Sequence, residues 1–183
     1  MEGVGMNVLH ILLPAVLAAS LVTAQEKGEK LAPYYPTPES VVERMLKLGG
    51  LKAGEKLYDL GSGDGRIVIM AADRFKANAA GVEFDADLVK QSTDRIRALG
   101  LEKRARIIHG DLLQQDYSDA DVITIYLLPS AVEKARPLLE KQLKKGARVV
   151  AHDFGIPGWT PVKEEHIEDD GEGRAHTLYL YVR

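Results

Sequence analysis

Cysteine is absent from the 183 residues, which excludes disulfides, zinc–thiolate centres and thiol nucleophiles. An excess of positive charge is also absent. The formal net charge is −3, the opposite of a surface built to neutralise phosphates, so no nucleic-acid partner is expected. The five histidines, His10, His109, His152, His166 and His176, show no HxxxH-type spacing, and no metal site is expected. Internal repeats and low-complexity segments are missing. What is there is ordinary globular composition, 45% hydrophobic and 28% charged, in a length that suits one domain with a full core.

The first 24 residues differ in kind. Residues 8–22 read VLHILLPAVLAASLV, and the chain then changes abruptly to Glu26-Lys27-Gly28-Glu29-Lys30. A secretory signal has this apolar length and a small-residue cleavage site such as Val22-Thr23-Ala24, but Met1 to Asn7 lacks the basic residues of its usual start. An uncleaved membrane anchor is the other reading. Lys27 and Lys30 follow the run and nothing basic precedes it, which would hold the following domain on the cytoplasmic face. A cleaved signal would instead export it. Residues 25–36 read as a linker and residues 37–183 as one folded domain.

Thr37 suits a helix N-cap, Pro38 the first helical position, and Val41, Val42, Met45, Leu46 and Leu48 mark one helical face. The chain then alternates. Strands are expected at 56–60, 79–83, 105–109, 121–126 and 147–153, and helices at 66–75, 85–99 and 130–143. Strands alternating with helices make a parallel sheet covered on both faces. The end breaks the pattern: 162–168 and 174–182 are extended runs around a Gly-containing loop, the second with His176, Leu178, Leu180 and Val182 alternating with Thr177, Tyr179 and Tyr181, which is a β-hairpin. The expected fold is α/β, a doubly wound, mostly parallel seven-stranded sheet with a C-terminal antiparallel hairpin.

Asp59-Leu60-Gly61-Ser62-Gly63-Asp64-Gly65-Arg66 connects the first strand to the next helix. Such turns sit at the carboxyl edge of an α/β sheet, where ligands bind. Glycines there admit a ligand close to the backbone, and the helix N-terminus offers free N–H groups. A dinucleotide fingerprint needs a third small residue where Arg66 stands, so a pyrophosphate ligand is disfavoured. Glu83 ends the second strand, about 20 residues beyond the glycines, where a carboxylate accepts ribose hydroxyls. Asp111, in His109-Gly110-Asp111-Leu112, follows the third strand at the same edge.

This constellation resembles the Rossmann-like, seven-stranded methyltransferases that use S-adenosylmethionine (SAM), over residues 33–183. The resemblance implies that Asp59, Gly61, Ser62, Gly63 and Gly65 pack on the methionine part of SAM. It further implies that Glu83 binds the ribose and that Asp111 and Leu112 lie near the adenine. Tyr34-Tyr35-Pro36-Thr37-Pro38, DLGSGDGRIVI, Tyr126-Leu127-Leu128-Pro129 and His152-Asp153-Phe154 together resemble one branch. It contains the protein-lysine methyltransferases of the ATP synthase c-subunit and the adenine nucleotide translocase, with bacterial relatives. That implies a protein substrate bearing a target lysine, close to a membrane. Tyr126, His152 and Asp153 are candidates for binding the target amine. Tyr34 and Thr37, folding over the site, and Pro129 are candidates for enclosing it. Leu127 and Leu128 cannot hydrogen-bond through their side chains, which counts against base and amide substrates. The Tyr126–Pro129 segment also reads as a plain strand end with a helix-starting proline.

Methyl transfer needs alignment, a dry site and, for lysine, a neutral amine; the sequence assigns no base. The acidic run Glu164 to Asp170 is a candidate attractor for a cationic target. Two alternatives stay open: a small-molecule, lipid or quinone methyltransferase on the same fold, and a non-catalytic SAM-binding protein. A dehydrogenase is opposed by Arg66 and the terminal hairpin.

Overall fold

The computed structural model describes Met1 and residues 34–183. The hydrophobic run at 8–22, most of the 25–36 linker and the choice between signal and anchor lie outside the described residues. Among those that are described, no helix is long and apolar enough to cross a membrane.

Seven strands form one sheet: β1 (Lys56–Leu60), β2 (Asn78–Glu83), β3 (Ala105–His109), β4 (Val122–Ile125), β5 (Arg148–His152), β6 (Lys163–Ile167) and β7 (His176–Val182). Their order is β3-β2-β1-β4-β5-β7-β6. The first five pair in parallel, while β7 enters antiparallel between β5 and β6. The strand order reverses between β1 and β4. A crevice opens there at the carboxyl ends of the strands, the general ligand position in such sheets.

Side chains alternate across the sheet into two cores. Leu57, Ala79, Val122 and Val150 face one side, packing with α1 (Glu39–Leu48) and α2 (Arg66–Asp73). Tyr58, Ala80, Ile123 and Val149 face the other, under α4 (Pro129–Gln142). Helix α2 buries Ile67 through Ala72 without a break, as expected of a helix sandwiched on all sides. Asp85 caps α3 (Ala86–Ala98), accepting from the Asp87 and Leu88 N–H groups.

Three local expectations are corrected. Thr37 does not cap α1. The helix starts at Glu39 after Pro38, with no side-chain cap, and the Thr37 hydroxyl instead faces the His152 ring at 3.4 Å. Pro129 is the first residue of α4, one residue earlier than expected, so the plain reading of its motif accounts for it. The alternation expected along the last strand also fails. His176, Leu178 and Tyr181 are all buried, because β7 lies inside the sheet and both of its faces are covered.

Candidate active site

The carboxyl edge holds a cavity of about 670 Å³. Two groups of residues line it. The first comes from the β1–α2 turn and the ends of β2 and β3: Asp59, Gly61, Ser62, Gly63, Glu83, Asp111 and Leu112. The second comes from the segment before α1 and the ends of β4, β5 and the β6–β7 loop: Tyr34, Tyr35, Thr37, Tyr126, Asp153 and His176.

The first half is built on close backbone approach. A Cβ on Gly81 would fall 2.4 Å from the Ser62 Oγ, so glycine in β2 lets Ser62 seat against the sheet. The Ser62 hydroxyl is then buried with no hydrogen-bond partner. An orphaned hydroxyl in a cavity wall invites a polar ligand. A Cβ on Gly63, whose φ is +53°, would meet the Tyr34 ring at 2.8 Å, which is how the N-terminal segment closes down on the turn. Arg66 fastens it: its Nη1 donates to the Thr37 carbonyl at 2.8 Å while Nε and Nη2 grip Asp64. Gly65 does not line the cavity. Its missing Cβ makes room for Ser92 of α3, 2.9 Å away, so its role is packing.

Four carboxylates line this half, Asp59, Glu83, Asp111 and Asp64, the last held by Arg66. Glu83 is already partly engaged. Its Oε2 accepts from the Gly63 N–H at 2.8 Å and its Oε1 from those of Phe84 and Asp85. A carboxylate has about four acceptor sites, so Glu83 both shapes the glycine turn and keeps capacity for a ligand. Asp111 caps the short 3-10 turn Leu112–Gln114 through the Leu113 N–H. Asp59 is almost fully buried, and its Oδ1 accepts from the Thr124 hydroxyl at 2.8 Å. Burial pushes its carboxyl up to about 7 despite the Thr124 bond, and the charges of Glu83 and Asp64 add to the rise. A half-cavity rich in carboxylates suits a cationic ligand. SAM carries a sulfonium and an ammonium against one carboxylate, and it fits this half in charge and in its need for polar partners.

In the second half, Tyr126 and His176 adjoin one carboxylate, Asp153. Asp153 follows β5 with φ +58°, a left-handed conformation that Asp tolerates better than most residues. Thr177 of β7 holds it there: the Asp153 N–H donates to the Thr177 carbonyl and Oδ1 accepts from the Thr177 N–H. Tyr126 stacks on His152 with ring centroids 3.9 Å apart. Burial, aided by the Asp153 charge, pushes the Tyr126 hydroxyl up to about 12, so it stays protonated as a donor. His152 is only 1% exposed and lies behind the cavity wall. It lies against Tyr126 and does not line the cavity. Its ring is held down to about 4, chiefly by burial.

Two functional side chains escaped the sequence reading. His176 contacts Asp153, His152 and Asp170, yet in the sequence it was only one alternating position of the last strand. Asp170 was one residue in an acidic run. In the structure it is buried, bonded to His176 and Arg174. Burial alone would raise its carboxyl; the N–H groups of Glu172 and Arg174 together with His176 overcome this and bring it to about 2. The run is thus a weaker attractor than expected, because Glu165 is also paired, with Arg44 at 2.6 Å. The donor atoms of His152, Asp153 and His176 lie within 4.8 Å of one another, a spacing a metal ion could use. These side chains come from two strands that the sequence separates, and they already hydrogen-bond among themselves.

A family model for the ANTKMT methyltransferase domain matches residues 59–163. A protein-lysine N-methyltransferase of Saccharolobus islandicus is 44% identical over 151 residues, covering 82% of this chain and 92% of that protein. The human lysine N-methyltransferase of the ATP synthase c-subunit is 33% identical over 139 residues, covering 76% of this chain and 58% of that longer protein. An RNA methyltransferase from Salinibacter ruber, solved in complex with S-adenosyl-L-homocysteine, has a TM-score of 0.74 and 42% identity, covering 81% of this chain and 93% of that one.

Proposed function

The chain belongs to the ANTKMT methyltransferase domain family, a SAM-dependent methyltransferase family, and from that premise we propose that it methylates the ε-amine of a lysine in a protein. The observation that carries the substrate is the second half of the cavity. Tyr34, Tyr35, Tyr126 and Asp153 line the cavity, with the Tyr126 hydroxyl beside the Asp153 carboxylate. Aromatic faces suit a methylene stem and a cation, and a carboxylate in the same wall suits an ammonium. The names of the Saccharolobus and human relatives support the same reading.

In this assignment Asp59, Ser62, Gly61 and Gly63 hold the methionine part of SAM, Glu83 the ribose, and Asp111 and Leu112 the adenine end. SAM supplies the methyl group on an activated leaving group. The chain aligns the amine with it, excludes water through the Tyr34–Thr37 strap, and anchors the ammonium on Asp153. Pro129 and His152 act indirectly, by starting α4 and backing Tyr126. A membrane-associated target is proposed from residues 8–22 alone.

The Salinibacter protein's description favours a second reading, RNA. Against it stand the net charge of −3 and the engagement of two cavity-lining arginines, Arg66 with Asp64 and Arg174 with Asp170. The test is to incubate the protein with methyl-labelled SAM and an extract of host cells lacking its gene. Methyl-lysine should appear in acid hydrolysates of protein. Label confined to RNA, lipid or small molecules would refute the lysine assignment and leave the methyltransferase assignment intact.

A further inference from the structure

The histidine at the base of the acceptor half sits where protons must be counted. The Nδ1 of His176 lies 3.0 Å from Asp153 Oδ2 and 2.9 Å from His152 Nε2. Its Nε2 lies 3.2 Å from Asp170 Oδ2. On the far side of His152, Nδ1 faces the Thr37 hydroxyl at 3.4 Å. Arg174 grips Asp170, His166 bonds Thr177 beside the ring, and the Tyr126 ring covers His152.

Two proton arrangements satisfy this geometry. In the first, His176 is neutral and Nε2–H donates to Asp170. Nδ1 then accepts from His152 Nε2–H, and His152 Nδ1 accepts from Thr37. Nothing then lies between His176 Nδ1 and the Asp153 oxygen. In the second, Nδ1 also carries a proton and donates it to Asp153. His152 takes its other tautomer and donates to Thr37. The two differ by one proton and need no movement of heavy atoms.

We propose that His176 Nδ1 is the atom that receives the proton taken from the target lysine, passed across the Asp153 carboxylate, with Asp170 holding the resulting imidazolium at Nε2. The inference rests on the lysine reading above. One N–H bond of the ammonium breaks as Asp153 Oδ2 takes its proton; Oδ2 passes that same proton to Nδ1, while His152 gives its Nε2 proton to solvent and takes one from solvent at Nδ1, so that one net proton moves from lysine to His176. The freed lone pair forms the N–C bond as the C–S bond breaks, its electrons staying on sulfur. His152 is not the acceptor: its burial holds it near 4. His176 must then shed its proton, and a second, smaller cavity gives it a way out. That cavity, about 180 Å³, is lined by Asp153 and His176 as well as His166, Glu168 and Thr177. Asp153, Ala175 and His176 therefore border both spaces, so the proton can leave without crossing the methyl-transfer site.

The test combines ring titration with rate profiles. In the full protein labelled with ¹⁵N-histidine, any second ring proton gained as the pH falls should lie at His176 Nδ1 and none should lie on His152. With labelled SAM and the gene-deleted extract as probe, wild-type methyl-lysine formation should rise with pH along a single limb. In His176→Gln the rate at pH 7.5 should fall roughly 100-fold and climb about tenfold per pH unit as solvent deprotonates the amine, with SAM affinity by calorimetry unchanged. Asp170→Asn removes the charge behind Nε2 and should move the limb to lower pH. An unaltered limb in His176→Gln, or a proton gained by His152 instead, overturns the proposal. Should His176→Gln fail to bind SAM, the wild-type titration and the Asp170→Asn profile decide. Absence of methyl-lysine in wild type at every pH would sink the lysine reading itself, a result distinct from a misplaced proton.

Discussion

Replacing Asp59 with Asn should make the ligand-free protein more stable and a poorer binder of SAM. Asp59 is a buried carboxyl whose value is pushed from 3.8 to about 7. The native state therefore holds the proton more tightly than the unfolded chain does. Its contribution is fully present below about pH 4, is lost as pH rises toward 7, and is constant above that. A rise of about 3 units at about 1.4 kcal/mol per unit sets an upper limit of about 4 kcal/mol on the loss. Asn keeps an acceptor for the Thr124 hydroxyl, which now lies 2.8 Å from Oδ1, and carries no charge to desolvate. Above pH 7 the variant should gain up to roughly 15 °C in Tm, at about 2–4 °C per kcal/mol for a domain of this size. Binding should move the other way. A cationic ligand draws Asp59 into its ionised form, so wild-type affinity should rise with pH between 5 and 7 and Asp59→Asn should be flat and roughly tenfold to a hundredfold weaker. Thermal scans from pH 4 to 9, with calorimetry at the same pH values, measure both. Parallel stability curves for the two proteins would refute the argument, because the carboxyl would then bear no desolvation penalty.

Glu83→Ala should weaken SAM binding by about 1.5–3 kcal/mol through lost charged hydrogen bonds. Glu83→Gln, which keeps an acceptor for the Gly63 N–H, should lose less by calorimetry; equal losses would show that the charge alone matters. Arg66→Ala frees the Thr37 carbonyl from its 2.8 Å bond, so the Tyr34–Thr37 strap should exchange amide hydrogens faster and KM for the protein substrate should rise more than KM for SAM. Chelators should leave methylation unchanged, since the His152, Asp153 and His176 atoms that could share an ion are already hydrogen-bonded to one another; inhibition reversed by one added divalent metal would contradict this. If residues 8–22 are retained, a reporter fused after Arg183 should report a cytoplasmic location, as Lys27 and Lys30 direct; a reporter active only outside the cytoplasm would mean export.

The fold was legible because its signals are local. Each parallel strand is a short run rich in apolar residues, and the first four are each followed by a glycine, an Asp or a proline that starts the next helix or 3-10 turn. Six consecutive buried residues in α2 can be read directly from the string IVIMAA. Thr37 misled for a physical reason. Its type and position satisfy the rule for an N-cap, but a tertiary partner, the His152 ring, outcompetes the local one. The last strand misled in a similar way. A terminal hairpin in isolation would bury one face, whereas inserting β7 between β5 and β6 covers both, and no local pattern carries the insertion.

The two halves of the cavity were unequally legible, and the register of β7 explains why. The cofactor half is drawn from consecutive strand ends, β1, β2 and β3, so its acids recur in sequence at the spacing of the βα units. The acceptor half is assembled across the one antiparallel junction. His152 opposes Leu178 in the pairing of β5 with β7, which brings Asp153 beside Thr177 and His176 over both. Asp170 joins them from the connecting loop, and Thr37 arrives from before the first helix. His152 and Asp153 share one motif and Thr37 lies in another, but Asp170, His176 and Thr177 belong to none, and each of these alone reads as a surface acid or a strand position. Their chemistry exists only as a hydrogen-bonded set, centred on the His176 ring. The register of the last strand, more than any residue type, therefore sets where a target proton can go.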